Sequence, residues 1–292
     1  MQKEKRVAII GGDARYLPLI HTLNKTNEIN LELIGFDQVE QSYTGVKQST
    51  LEELKPEQLD AVILPITGID DKGYAEAVFS KQELQLTKDW FKRLPSHCLV
   101  FTGIANQTLL DSVKIKGNKL IKLMERNDVA IYNSIPTAEG AIMLAIQHTD
   151  ITIHQSEVFV YGFGRVGKTT ASAFKGLGAK VTVVSKDETD IARAFEQGYT
   201  VCHLSESIKL IENCHVLVNT IPAKVINKPI LEKMKSDAIV IDLASKPGGT
   251  DFDFAKARGI HAIHALGLPG LVAPKTAGEI LAFQIQKFIF SS

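Results

Sequence analysis

Apolar residues in this chain come in short runs that do not alternate with polar ones, and stretches of helical periodicity separate the runs. In the first half the runs fall at residues 6–13, 31–37, 60–65 and 98–102, and in the second at 158–161, 180–184, 215–222 and 238–242. A continuous apolar run of strand length reads as a strand covered on both faces. Such strands alternating with helices imply a parallel sheet with helices on either side. The two halves follow one plan: 60–65 matches 215–222, 98–102 matches 238–242, and each half closes with a similar helix, at 136–146 and at 274–282.

The turn after 158–161 carries the most chemistry. Read one way, Gly162, Gly164 and Gly167 spell the G-x-G-x-x-G dinucleotide fingerprint; read another, Gly162, Gly167, Lys168 and Thr169 spell the G-x-x-x-x-G-K-T loop of nucleotide hydrolases. Both set backbone N–H groups and a helix N-terminus against a phosphate. The flanking pattern favours the dinucleotide. Small residues follow from Ala171, Gly178 ends the helix and 180–184 reads as the next strand, a unit of about 30 residues. A hydrolase needs an acidic magnesium ligand downstream, and Asp242 could serve, but it closes a strand that a dinucleotide-binding sheet needs anyway. The first half's turn, Gly11-Gly12-Asp13-Ala14-Arg15, lacks the third glycine.

These features predict an α/β chain of two tandem Rossmann-like, doubly wound parallel-sheet domains with a cleft between them. The expected divisions are a substrate domain over 1–133, a hinge helix over 134–150 and a cofactor domain over 151–292, its C-terminal helix packing back toward the cleft. The tip of strand 180–184 carries Ser185 and Lys186 where an NAD-using domain carries a carboxylate for the ribose. A hydroxyl and an ammonium suit a 2′-phosphate, and Arg165 in the glycine loop adds a second cation, so NADP is the expected cofactor. The alternative reading gives Asp187 the acidic residue's task.

Composition narrows the function classes. The 292 residues hold 33 basic and 33 acidic side chains and no dense basic run, which argues against nucleic acid or an anionic membrane as partner. The apolar stretches read as strand-sized, so no span is expected, and the polar start lacks a secretory apolar region; a cytoplasmic protein is expected. Cys98, Cys202 and Cys214 are scattered and read as inert buried thiols in a reducing compartment. His97, His203, His215 and His261 show no metal-ligand spacing, so no metal site is expected, and no nucleophilic triad stands out.

Several blocks carry a resemblance: 11–15, 131–137, 242–252 and 267–278 look like those of the dipicolinate synthase A-subunit family of spore-forming bacilli, and the likeness runs nearly end to end. The Gly-Phe-Gly-Arg-Val-Gly loop alone also resembles hydroxyacid dehydrogenases. The closer resemblance implies NADP-dependent oxidation of dihydrodipicolinate to pyridine-2,6-dicarboxylate in the mother cell during sporulation. It also implies a second, flavoprotein-like subunit; self-association stays open. The alternative is a non-catalytic subunit that binds or senses a dinucleotide for its partner.

That chemistry selects candidate residues. Hydride transfer is a positioning task for loops at the carboxyl ends of the cofactor strands. The candidates there are Gly162, Gly164, Arg165, Val166, Gly167, Ser185, Lys186, Thr220, Ile221, Pro222, Asp242, Ala244 and Gly267. A dicarboxylate calls for cations and hydroxyl donors: Arg15, Lys246, Lys275, Thr67, Thr102 and Ser134. Removal of a ring proton calls for a base, either His264 at a strand end or Glu139 on the hinge helix. Each of these also admits a reading as a surface charge, a cap or a core residue.

Overall fold

A computed structural model describes residues 4–39 and 44–291, so the first three residues of the polar start lie outside the described ones. The chain divides into two compact units, Met1–Ala130 with Ala273–Ser292, and Ile131–Val272. The first contains β1 (Lys5–Ile10), α1 (Tyr16–Asn24), β2 (Ile29–Ile34), β3 (Lys47–Ser49), β4 (Ala61–Ile63), the small hairpin β5 (Tyr74–Ala75) and β6 (Leu84–Gln85), α2 (Lys88–Lys92), β7 (Leu99–Thr102), α3 (Gln107–Lys114) and β8 (Lys119–Lys122). The helix α4 (Asn127–His148) follows. The second unit holds β9 (Glu157–Tyr161), α5 (Arg165–Gly176), β10 (Lys180–Ser185), α6 (Glu188–Glu196), β11 (Thr200–His203), β12 (Val216–Asn219), α7 (Lys228–Lys233), β13 (Ile239–Asp242), α8 (Phe252–Arg258), β14 (His261–His264) and α9 (Leu268–Val272), before the final α10 (Pro274–Phe290).

Both large sheets are parallel and share one order, β3-β2-β1-β4-β7-β8 in the first and β11-β10-β9-β12-β13-β14 in the second. This is the doubly wound order, with its reversal beside β1 and beside β9. The repeat read from the sequence is thus a repeat of topology. Packing accounts for the unbroken apolar runs: Val7 and Ile9 join one core cluster while Ala8 and Ile10 join another, and Val158 and Val160 are divided from Phe159 and Tyr161 in the same manner. Each central strand is buried on both faces, so the period-2 signal disappears.

The closing helices differ from expectation. Residues 273–292 group with the first unit, not the second. On α10, Leu281, Ala282, Ile285 and Ile289 fill the cluster around β1 and α1, and the Gln286 amide donates to the Thr26 hydroxyl at 2.8 Å. Close approach is possible because position 278 is glycine: a Cβ there would lie 2.1 Å from the Arg15 carbonyl oxygen and 2.7 Å from Pro18 Cγ. Conversely, Ala141 and Ala145 of α4 belong to the core of the second unit. The helix α4 begins at Asn127, not 134, because Pro136 lies inside it rather than at its first turn. It also corrects the reading that every apolar stretch is strand-sized. By length and composition α4 is long and apolar enough to cross a membrane. Here its small side chains cover β-sheet instead.

Candidate functional site

In the second unit the chain leaves β9 at Tyr161 and turns at Gly162, whose φ of +91° is the left-handed conformation glycine favours. The Gly162 N–H donates to the Val184 carbonyl at 2.8 Å, holding the turn on β10. Helix α5 starts at Arg165, with Gly164 as its N-cap. A Cβ on Gly167 would lie 2.1 Å from the Gly162 carbonyl oxygen, so this third glycine lets the helix lie directly on the turn. Gly164 is different: its φ is −77°, open to any residue, and an added Cβ would meet no atom within 4 Å. The protein itself has no need of glycine there. A ligand approaching the backbone does, as the fingerprint's second glycine requires.

This geometry decides between the two readings of the motif. Only residues 162–164 form the turn, and Gly167 is already helical, so no wide loop wraps a phosphate as in a hydrolase. The Lys168 ammonium sits 5.5 Å from the centroid of the buried Phe163 ring. Behind the loop, the Ser134 and Thr169 hydroxyls lie 2.6 Å apart, tying α4 to α5, and Ser134 Oγ also donates to the Ile131 carbonyl at 2.6 Å. Ser134 is fully buried.

The remaining carboxyl-end loops of this sheet surround the turn. The Thr220 hydroxyl donates to the Tyr161 carbonyl at 2.8 Å, and the Ile221 N–H donates to Asn219 Oδ1 at 3.1 Å; Pro222 is exposed. At the tip of β13, Asp242 has no exposed surface and accepts from Asn219 Nδ2 (2.9 Å), Ala244 N–H (3.0 Å), Gly249 N–H (2.8 Å) and the Thr250 hydroxyl (2.7 Å). Its oxygens are thus held by the protein. Ala244 is buried, and its carbonyl lies 2.9 Å from His264 Nε2. The His264 ring stacks on Phe252 at 5.3 Å. Lys246 and Gly267 are exposed.

At the tip of β10 the Ser185 hydroxyl is buried, accepting from the Asp187 N–H at 3.1 Å and donating to Asp190 Oδ2 at 3.4 Å. Lys186 is exposed. Asp187 caps α6, accepting from Thr189 N–H (2.8 Å) and Asp190 N–H (3.2 Å), and those backbone donors hold its carboxyl below the usual range. One of its oxygens is committed to the helix. Arg165 is exposed and Val166 half-buried on the first turn of α5.

The equivalent turn of the first unit is filled. The Gly12 N–H donates to the Glu76 carbonyl at 2.8 Å, and the Val78 N–H returns to Gly12 O at 3.1 Å. A Cβ on Gly12 would fall 2.3 Å from the Tyr16 ring, whose hydroxyl donates to Leu64 O at 2.5 Å. Beside this plug Arg15 grips Asp13 with two groups: Nε contacts both carboxylate oxygens at 2.9 and 3.1 Å, and Nη2 pairs with Oδ2. Burial raises the Asp13 carboxyl, but Arg15 outweighs it and holds it below its ordinary range. Burial likewise disfavours the Arg15 charge, and the Asp13 hydrogen bond reverses that, leaving its pKa raised. Thr67 donates to Glu76 Oε2 at 3.1 Å, while Thr102 is buried with its hydroxyl 2.9 Å from both the Pro65 and Ile104 carbonyls. Lys275 is exposed on the first turn of α10, three residues before the Gly278 that packs on Arg15.

The structure thus gathers the cofactor candidates, with His264, at the carboxyl edge of the second sheet, and Arg15, Thr67 and Thr102 at that of the first. Glu139 stands exposed on α4. Asp13, Glu76, Asn219 and Thr250 take part without having been singled out in the sequence. Their signal was slight: an acid two residues from Arg15, and apolar strands that each end on a polar residue. Among the described residues no cluster of histidine, cysteine or acidic side chains could hold a metal ion.

Comparison with known proteins matches each half of the chain separately. Residues 6–124 match the family described as the N-terminal domain of the dipicolinate synthase A-subunit, and residues 136–264 match the NAD binding domain of S-adenosyl-L-homocysteine hydrolase. The dipicolinate synthase A-subunit of Bacillus subtilis is 44% identical over 97% of this chain and 95% of its own length. The crystal structure of the dipicolinate synthase A-subunit from Bacillus halodurans superposes with a TM-score of 0.96 at 46% identity, covering 99% of both chains. A transhydrogenase from Sinorhizobium meliloti shares the fold, with a TM-score of 0.68 at 13% identity, over 97% of this chain and 93% of that one.

Proposed function

The chain belongs to the dipicolinate synthase A-subunit family, and we propose that it is the NADP-dependent oxidoreductase that converts dihydrodipicolinate to dipicolinate. The observation that carries this reading is Gly164, a residue with ordinary φ and no neighbour for a side chain, in the turn at the switch point of a doubly wound sheet. When bound there, NADP supplies the hydride acceptor. The N–H groups that open α5 donate to its pyrophosphate, and the helix dipole favours that charge. Lys186 and Arg165 are the cations for a 2′-phosphate; Ser185 would have to release Asp190 to join them. The loops after β12 and β13 orient the nicotinamide through Thr220, Ile221, Pro222 and Ala244.

Arg15 is the proposed ligand for a substrate carboxylate, presented by its pair with Asp13, and Thr67, Lys246 and Lys275 are further candidates. Thr102 and Ser134 support their loops through the bonds described above. His264 is the proposed base. The reading places the chain in the cytoplasm of the mother cell during sporulation, working with a flavoprotein-like second subunit.

The test is NADPH formation from dihydrodipicolinate by the full chain, with and without its partner subunit. Turnover is expected, with NADPH bound more tightly than NADH. Arg15→Ala should raise KM or lower kcat, leaving cofactor affinity intact; loss of one charged hydrogen bond costs about 1.5–3 kcal/mol. Dinucleotide binding without turnover under both conditions would favour a non-catalytic cofactor-binding subunit instead.

A further inference from the structure

The last three strands of the second sheet each end on a polar residue, and strand pairing sets Asn219 beside Asp242 and Asp242 beside His264. Asp242, at the centre, forms no ion pair among the described residues. Three of its four donors, the Ala244 N–H, the Gly249 N–H and the Thr250 hydroxyl, belong to the single loop at 243–250. A buried carboxylate satisfied in this way fixes the backbone that satisfies it. The loop threads Gly248 between Asp242 and His264: a Cβ there would lie 3.2 Å from Asp242 Oδ2 and 3.2 Å from His264 Nε2.

This loop determines which nitrogen of His264 can act. Nε2 faces the Ala244 carbonyl at 2.9 Å, and a carbonyl only accepts, so Nε2 carries the proton of the neutral ring. The lone pair is then on Nδ1. Ala244 is held at both ends, its N–H by Asp242 and its carbonyl by His264, while Phe252 fixes the ring plane from the α8 side.

We infer that Asp242 is a positioning residue for His264, and that Nδ1 of His264 is the atom that accepts the substrate's ring proton. This rests on the proposed assignment of His264 as base. The proton passes to Nδ1 and leaves its bonding pair in the ring; the bound dinucleotide would supply the two-electron acceptor for the second hydrogen, so that the ring would gain aromaticity as the imidazole becomes imidazolium. The titratable and charged side chains on its own and the surrounding elements are His261 on β14, Asp242 on β13, Lys246 in the loop, and Asp251, Asp253, Lys256 and Arg258 at and on α8.

Nitrogen NMR of the full chain, assigned with His264→Gln, is expected to show a protonated Nε2 and a bare Nδ1 above the histidine's titration; the opposite tautomer overturns the inference. Asp242→Asn places an amide donor against an N–H or hydroxyl that needs an acceptor. It should mix the tautomers, lower kcat by at least about tenfold and move the acidic limb of the pH profile. Thr250→Val, which removes one donor and keeps the shape, should do the same more weakly and serves where Asp242→Asn does not fold. His264→Gln keeps a donor for Ala244 and loses the base: wild-type turnover there overturns the base assignment itself. Loss of turnover in His264→Gln, with a wild-type tautomer and kcat in both other variants, overturns the positioning role alone.

Discussion

At the scale of single residues, the three glycines of the fingerprint do three separate jobs. Gly162 supplies a left-handed turn, Gly167 a helix-on-turn contact, and Gly164 empty space. Only the last can be replaced without damage to the fold, so Gly164→Val isolates the ligand's requirement. It should leave unfolding unchanged and weaken NADPH binding by roughly 100-fold, ~2.8 kcal/mol, while Lys168→Ala, whose ammonium rests on Phe163, costs far less. Calorimetric titration decides it: tight binding of magnesium ATP, with Gly164→Val indifferent to NADPH, would return the loop to the hydrolase reading. These glycines were legible because spacing encodes backbone demands directly. The Asn219–Asp242–His264 row was not, because register across three strands is a long-range fact, and a polar strand end looks the same whether it meets a ligand or its neighbour. The pairing of Arg15 with Asp13 escaped for the same reason: the sequence shows a cation at a helix start but not what already occupies it.

At the scale of elements, the four central strands of each large sheet followed from the apolar runs, whereas the short edge strands at 47–49, 119–122 and 200–203 and the allegiance of the closing helices did not. Periodicity gives a helix an apolar face without saying which sheet that face covers. The small residues decide: Ala141 and Ala145 place α4 on the second sheet, and Gly278 seats α10 against the first turn of α1. Gly278→Ala tests this seat. Its methyl would overlap the Arg15 carbonyl, and overpacking of this kind costs about 1–3 kcal/mol. Amide hydrogen exchange should accelerate in α1 and α10 while β9 to β14 keep their protection. Equal acceleration in both units, or none, would show that the glycine is not what holds α10 on α1.

At the scale of the whole molecule, one fold appears twice and the two copies have diverged at the same point. Each has a strand, a glycine turn and a helix at the reversal of strand order, the place where doubly wound sheets bind ligands. In the second copy the turn is open above Gly164; in the first, the Glu76 carbonyl, Val78 and the Tyr16 ring occupy the space a pyrophosphate would need. The plug is built from backbone hydrogen bonds and a ring whose hydroxyl is itself tied to Leu64, so a ligand could displace it only by leaving buried polar groups unpaired. The first copy also presents Asp13 at the start of α1, and a carboxylate there opposes a phosphate even when partly neutralised by Arg15. The chain should therefore bind one NADPH, and Gly164→Val should weaken that single site about 100-fold without exposing a second one. Titration of the full chain at high protein concentration reads this directly: two equivalents bound, or residual saturable binding in Gly164→Val that Tyr16→Ala strengthens, would show that the first turn still takes a dinucleotide.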